Sequence, residues 1–548
     1  MNSPDEHYNE RQRLVKPGEV FLALLLLNAV LGLVVIIFPH GKIPLWNNYS
    51  LKITPFERLF TADTTHFVDV GQVIAGLEPI DTSLENIPGT ASYKLMRERF
   101  EVPGSRMIQY PDSTKKALLY FFQQLLQTEI SGKPLHIIHW GDSQLEGDRI
   151  SDYLRNKLQL IFGGYGPGVV LPMDISNSRI SVRQSESRDW QKLAIYGNKE
   201  KHPEGLYGIG GSTFRYSGVF KRKIGEDTII NRVYILPETI DSVAPNWDSL
   251  QSVYVTTVVT IDSNKFYNDT VITPRYEIIQ SSKSWLKFNC ATGSFPRVRH
   301  FNRVRLLYGS SQPFHAVVQL DEKVFADSVL PVGKFGMKTW RTSVINKGVS
   351  FTFSGESPNI YGVSLESDSG IWVDNFPMRG SSALGFEMMN SELLAMQMKA
   401  LNAPLIIMQY GINVVPNPQK SYDYYERMFL AQLQAIKKAL PNVSILVIGP
   451  SDMSTRINGE YASYPNIPLI RNAMRNAAFK TGVAFWDLYE AMGGQNSMVS
   501  WVNEKPSLAA KDFTHFNPQG ARYVGEMIYE ALIKDYLEYK NAWRKVYP

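Results

Sequence analysis

Two short stretches of this 548-residue chain hold residue types that could do chemistry. In the first, Leu135-His136-Ile137-Ile138-His139-Trp140 is an apolar run of strand length that breaks at Gly141-Asp142-Ser143. It gives way to Ile150, Tyr153, Leu154, Leu158 and Ile161 at helical spacing. A hydroxyl on such a turn sits at the mouth of a sheet, in the crevice where open α/β folds place their chemistry. In the second stretch, Asp512-Phe513-Thr514-His515 leads through Asn517-Pro518 into a helix carrying Tyr523, Val524, Met527, Ile528 and Leu532. An aspartate three residues before a histidine brings both side chains to one side of a first helical turn. The carboxylate can then hold the imidazole and stabilise it once protonated. Each stretch alone also has a plain reading, a helix cap for the serine turn and a surface histidine beside a helix-start aspartate for the other.

The elements that would position these residues follow from the rest of the chain. The length predicts two or three domains, and the composition is that of a folded protein. A formal charge of +5, spread along the chain, gives no electrostatic case for nucleic acid as a partner. Cys290 is the single cysteine, which excludes an internal disulfide and any cysteine-based zinc cluster. Residues 1–19 read as a cytoplasmic tail and Val20 to Phe38 as a transmembrane helix, uncharged and with Asn28 as its one strongly polar side chain. Arg11, Arg13 and Lys16 ahead of it place the N-terminus in the cytoplasm and the bulk of the chain outside. Residues 39–111, broken by Pro44, Pro55, Pro79, Pro88 and Pro103, read as a stem.

From Asp112 or Ser113 a helix is expected to about Thr128, feeding the Leu135 strand. The glycine-rich turn Gly163 to Gly168 follows a helix and precedes a strand, the reverse of a phosphate-cradling loop. Between 190 and 355 the pattern changes to short β-like runs such as Ser252 to Ile261, Arg303 to Tyr308 and Phe314 to Leu320, which predicts an inserted β-sandwich. Trp190, Trp247, Trp285 and Trp340 fall in it, as core residues or as platforms for sugar rings. An α/β rhythm then returns: strands at Ile360 to Leu365, Leu405 to Tyr410, Ser444 to Ile448 and Val483 to Trp486, with helices over 386–401 and from Tyr424 to Leu440. Strands alternating with helices predict a doubly wound parallel sheet, assembled from residues 112–189 and 356–548. His136 and His139, three apart on a strand, face opposite ways and are no metal pair.

Gly141-Asp142-Ser143, a turn glycine, Gly411-Ile412-Asn413 at a strand exit and Asp512-x-x-His515 before the last helix together resemble the SGNH (GDSL-type) hydrolase family. With the β insert they resemble in particular the peptidoglycan O-acetylesterases of bacterial envelopes, whose insert looks like a carbohydrate-binding module. The resemblance implies a flavodoxin-like sheet, Ser143 as nucleophile, His515 as general base and Asp512 as the residue orienting it. It also implies an oxyanion hole from the N–H of Ser143, the N–H of Gly380 and the amide of Asn413. Gly370 and the Gly208-Ile209-Gly210-Gly211 stretch compete with Gly380 for the second of these places. Gln144 stands where the family usually has an apolar residue, and Val414 where an acidic one often follows the asparagine.

What is expected is therefore a cofactor-free serine esterase of a bacterial inner membrane with its catalytic part in the periplasm. Its substrate would be an O-acylated envelope polysaccharide such as peptidoglycan. An O-acetyltransferase using the same residues, or a non-catalytic glycan-binding protein, are the alternatives.

Overall fold

A computed structural model describes residues 17–38, 42–44, 50–52, 67–77, 101–173, 178–234, 266–281, 283–457 and 459–546. Residues 1–67 and 68–548 form two compact units. In the first, helix α1 (Pro17–Ile37) is long and apolar enough to cross a bilayer, with mean hydropathy 2.0 over Pro17–Val34. The Asn28 amide donates to the Leu24 carbonyl one turn back (2.8 Å), so its polarity is met inside the helix. Lys42–Pro44 pairs antiparallel with Ser50–Lys52.

The second unit is built on five parallel strands: β1 (Leu135–Gly141), β2 (Ile371–Pro377), β3 (Leu405–Gln409), β4 (Ser444–Ile448) and β5 (Ala484–Trp486), in the spatial order β2-β1-β3-β4-β5. This is the flavodoxin-like doubly wound order, whose switch point lies between β1 and β3. Both faces of each strand are buried, which is why these strands read as continuous apolar runs. On one face Leu135, Ile137, Ile407 and Leu446 pack against α2 (Leu119–Ser131), α3 (Arg149–Phe162) and α7 (Pro518–Val546). On the other, Ile138, Trp140, Met408 and Val447 pack against α4 (Ser391–Leu401), α5 (Asp423–Ala439) and α6 (Ile467–Lys480).

Between β1 and β2 the chain makes two antiparallel sheets. One runs 333–346, 301–310, 359–366, 212–216, 190–194, with 168–170 also paired to 359–366; the other runs 323–330, 314–320, 348–355, 284–290, 182–186. Their inner faces meet through aromatic contacts, Trp190 with Phe353 (5.6 Å between centroids), Tyr308 with Phe314 (5.2 Å) and Trp340 with Phe351 (5.9 Å). A two-stranded ribbon, Val219–Tyr234 with Phe266–Gln280, extends from this region. The expected strand Ser252 to Ile261 and Trp247 lie outside the described residues.

Three expectations need correction. The β region starts near Gly168 rather than at 190 and closes at Glu366 rather than 355, because Ile360 to Leu365 pairs antiparallel with Arg303–Tyr308 and never enters the parallel sheet. A short apolar strand does not reveal its partner's direction by periodicity. Residues 68–77 and 101–111 are not stem: Val70 is buried, the Val68 N–H donates to Ser500 Oγ (3.0 Å), the Trp486 indole donates to the Arg106 carbonyl (2.9 Å), and Gln109 bridges Phe485. The helix expected from Asp112 begins at Leu119, Asp112 instead closing a turn onto the Thr114 N–H (2.8 Å).

A buried ionic cluster joins the parallel sheet to the six-stranded one. His136 on β1 meets Asp374 on β2 through Nδ1 (2.6 Å) and Arg305 through Nε2 (2.9 Å), while Arg305 and Arg303 (2.6 Å) hold Glu366. Burial alone would raise the Glu366 carboxyl, but Arg305, His136 and Arg303 outweigh it and hold it well below the usual carboxylate range. A depressed folded-state value stabilises the fold above the unfolded value, and that contribution is lost as pH falls through the folded one. Arg305→Ala is expected to cost about 3–5 kcal/mol, because it strands buried charge. Denaturant unfolding at neutral pH checks the loss, and the acid-unfolding midpoint should move upward.

Candidate active site

Ser143 follows β1 and is largely buried, and the local backbone explains how its hydroxyl is set at the exit of the strand. A side chain at Gly141 would place a Cβ 2.7 Å from the Gln409 carbonyl and 2.6 Å from Leu145, so only glycine lets β1 run this close to β3 before turning. Asp142 is extended and its Oδ1 accepts the Gln144 N–H (3.0 Å), starting the tight turn Ser143–Asp148 that leads into α3. Asp142 is wholly buried. Burial pushes its carboxyl up to about 7, against the Gln144 and Ile412 N–H groups that face it.

The C-terminal motif arrives at the same place. His515 Nε2 lies 2.8 Å from Ser143 Oγ, and His515 Nδ1 lies 2.7 Å from Asp512 Oδ2. With the ring proton on Nδ1 donated to the carboxylate, Nε2 is left to accept the serine hydroxyl. Asp512 Oδ1 also accepts the N–H groups of Thr514 and His515 (3.0 Å each), which curls the loop so that both side chains point one way. Partial burial would raise the Asp512 carboxyl, but these bonds from His515 and Thr514 outweigh it and lower it. It therefore stays ionised across neutral pH. Phe513 adopts a left-handed backbone (φ 55°) and stacks on Tyr461 at 3.6 Å between centroids, and its carbonyl accepts the Ser454 N–H (3.0 Å). The hairpin that supplies Tyr461 (454–457 with 460–463) is not among the elements expected from sequence.

Gly380 and Asn413 lie at the same end of the sheet. β2 pairs Pro377 with Gly141, and the Met378 N–H donates to the Gly141 carbonyl (2.7 Å), so the turn bearing Gly380 begins beside the serine turn. Gly380 has φ +76° with open space where a Cβ would stand. Its neighbour Arg379 reaches Glu146 (3.5 Å) on the serine turn. Gly370 precedes β2 and its carbonyl accepts the Leu135 N–H, which puts it at the opposite end of the sheet from Ser143. The Gly208–Gly211 stretch sits under Trp140, whose indole donates to the Ile209 carbonyl (2.7 Å). Asn413, exposed just past β3, donates one amide hydrogen to the Ser381 carbonyl (2.9 Å) and keeps a second. Val414, where the family often has an acidic residue, is buried.

Sequence reasoning missed two supports. Gln144, in sequence only a departure from the family pattern, is buried and bonds to the His515 loop: Nε2 donates to the Thr514 carbonyl (2.7 Å) and Ser451 Oγ (3.1 Å). Asn375 on β2 donates to the Leu145 carbonyl (3.1 Å) and accepts from Ser151, whose hydroxyl also meets His139 Nδ1 (2.9 Å). The signal for both was a polar residue in an otherwise apolar frame. Burial pushes His139 down to about 3, so it is a neutral packing group. Cys290 packs against the β core and burial pushes its thiol up to about 12.

Of the tryptophans read as core residues or sugar platforms, Trp190 and Trp340 are buried between the sheets, and Trp285, of the three described, lines a concavity of about 650 Å³ on the outer face of the five-stranded antiparallel sheet. The register makes it a trough. Gly348, Ser350 and Thr352 form the floor, Asn289, Lys287 and Trp285 one wall, and Gln319 and Asp321 the other.

No family model matches the chain, and no curated protein matches it. Among solved structures, a peptidoglycan O-acetylesterase aligns with 78% of this chain and 99% of its own at 19% identity and TM-score 0.52. An acetyl xylan esterase aligns with 30% of this chain and 81% of its own (18% identity, TM-score 0.22). A family two carbohydrate esterase from Clostridium thermocellum aligns with 47% and 93% (8% identity, TM-score 0.22). The first alignment shows a shared fold over most of the chain, the one expected from the resemblance to SGNH hydrolases.

Proposed function

We propose that this chain is a serine esterase, anchored in a bacterial inner membrane by α1, that removes O-acyl groups, chiefly O-acetyl, from an envelope polysaccharide such as peptidoglycan. The observation that carries the reading is the continuous hydrogen-bonded chain from Ser143 Oγ through His515 to Asp512, at 2.8 and 2.7 Å. Those are working distances for proton transfer without rearrangement. In the reaction, His515 Nε2 takes the hydroxyl proton as Ser143 Oγ attacks the ester carbonyl, and Asp512 stabilises the imidazolium that forms. The oxyanion meets the N–H groups of Ser143 and Gly380 and the free amide hydrogen of Asn413. His515 then gives that proton to the departing sugar oxygen as its C–O bond to the acyl carbon breaks, and the sugar leaves as the free alcohol. Water, deprotonated by the same imidazole, releases the acid from acyl-Ser143.

Shared fold with a peptidoglycan O-acetylesterase supports the substrate class. So does the trough beside Trp285, where an aromatic side chain lies among hydroxyl, amide and charged groups of both signs (Lys287, Lys347, Asp321, Glu322), a mixed lining able to meet the apolar and polar sides of pyranose units. Substrate outside the cell membrane fits the basic residues ahead of α1.

Asn413→Ala removes one oxyanion donor, worth roughly 3 kcal/mol of barrier, so kcat on a chromogenic acetate ester is expected to fall about 100-fold with little change in KM. Steady-state kinetics at neutral pH check this. The reading as a whole is tested by incubating the purified full chain with O-acetylated peptidoglycan and measuring free acetate against a de-esterified control. Acetate release is expected. Acetyl transfer to an added sugar acceptor in excess of release would reassign the chain as a transferase, and no release from any acetylated polymer or small ester would overturn the reading.

A further inference from the structure

The esterase reading leaves unexplained why a buried amide, rather than an apolar side chain, directly follows the nucleophile. We propose that Gln144 is a positioning residue for His515: its side chain grips the base loop on both sides of the imidazole and ties that loop to the turn carrying Ser143. The proposal rests on the esterase reading and adds to it a coupling between two of its parts.

The loop's backbone groups are almost all spoken for. Asp512 Oδ1 takes the N–H groups of Thr514 and His515, the Ala510 N–H donates to the His515 carbonyl (2.8 Å), and Arg149 Nη1 donates to the Phe516 carbonyl (2.6 Å). The two remaining groups flank His515 directly. The Thr514 carbonyl accepts from Gln144 Nε2 (2.7 Å), and the Phe516 N–H donates to Gln144 Oε1 (3.4 Å). A planar amide offers a donor and an acceptor side by side, matched to a carbonyl and an N–H two residues apart.

Gln144 is itself anchored at both ends. Its N–H is held by Asp142 (3.0 Å), and its second amide hydrogen by Ser451 Oγ (3.1 Å) at the exit of β4. Among the described residues the side-chain partners of His515 are Asp512 and Ser143, and it is about one-third exposed. Its placement over Ser143 therefore depends on its backbone. An apolar residue at 144 would leave a buried carbonyl and N–H unpaired beside the base, and the loop would move to find partners. A shift of about 1 Å at a catalytic group costs on the order of 100-fold in rate.

Gln144→Met keeps the volume and removes both bonds to the base loop together with the bond to Ser451. It is expected to lower kcat on a small acetate ester by roughly 30- to 100-fold with KM within about twofold, while the same change made in a His515→Ala background costs less than about threefold. Gln144→Glu, the conservative variant should the Met form fail to fold, regains the donor only when its carboxyl is protonated. Its rate relative to the wild type should therefore climb as pH is lowered. Equal losses from Gln144→Met with and without His515 would mean a general structural role and overturn the proposal. So would a kcat within threefold of wild type, or a Gln144→Glu ratio flat in pH. A wild-type rate in His515→Ala would overturn the esterase reading itself, and the clamp with it.

Discussion

Replacing Ser143 with Ala is expected to lower turnover of a small acetate ester by roughly 10⁴- to 10⁶-fold. The size of the effect follows from what the turn is built for. Gly141 lets β1 pass close to β3, Asp142 holds the first bend, and these constraints bring the Ser143 hydroxyl against Nε2 of His515. Without it no acyl-enzyme forms. What remains is the oxyanion pocket, which alone sustains only a residual advantage over water. Loss of one hydroxyl, with the backbone of the turn unchanged, should leave the melting temperature within a few degrees, so kinetics and thermal unfolding on the same preparation separate chemistry from folding.

His515→Ala should cost a comparable factor and carry a second signature. With the base gone, hydroxide must generate the attacking alkoxide, so the residual rate is expected to rise about tenfold per pH unit in the range where the wild-type rate is flat. Asp512, which owes its lowered carboxyl to bonds from His515 and Thr514 against the pull of burial, should drift back toward the ordinary aspartate range. It is half exposed, so stability should hardly change. A residual rate that stays level with pH would mean that another group serves as base.

Much of this site is legible in the amino-acid sequence. Leu135 to Gly141 announces a buried parallel strand because both of its faces are covered, the serine turn and the Asn413 turn mark points where an apolar run gives way to a polar exit, and the Asp512–His515 turn stands just ahead of the last amphipathic helix. The sheet's switch point between β1 and β3 then gathers the first two by topology alone. Other features are hidden for physical reasons. Ile360 to Leu365 has the composition of a parallel strand yet pairs antiparallel, since pairing partners are chosen by tertiary context. Helix α6 is masked because Asn466, Pro468 and scattered arginines dilute its apolar stripe of Ile467, Ile470, Ala473, Met474 and Ala477. The segments at 68–77 and 101–111 resemble linker because each contributes only a few buried side chains, Val70 and Leu77 in one, Val102, Arg106 and Ile108 in the other, too few to show a period. Gln144 resembles a mere departure from pattern, because a side-chain bond to a loop some 370 residues away leaves no local trace.

Every step of the proposed mechanism depends on Ser143 becoming covalently acylated. The full chain should be mixed with a chromogenic acetate ester, quenched in acid within the first turnovers, digested and mapped by mass spectrometry. An acetyl group on the peptide bearing Ser143, absent from His515→Ala quenched at the same time, is the expected result. Ester turnover at full rate with Ser143 unmodified, or with the acetyl group on another residue, would contradict it.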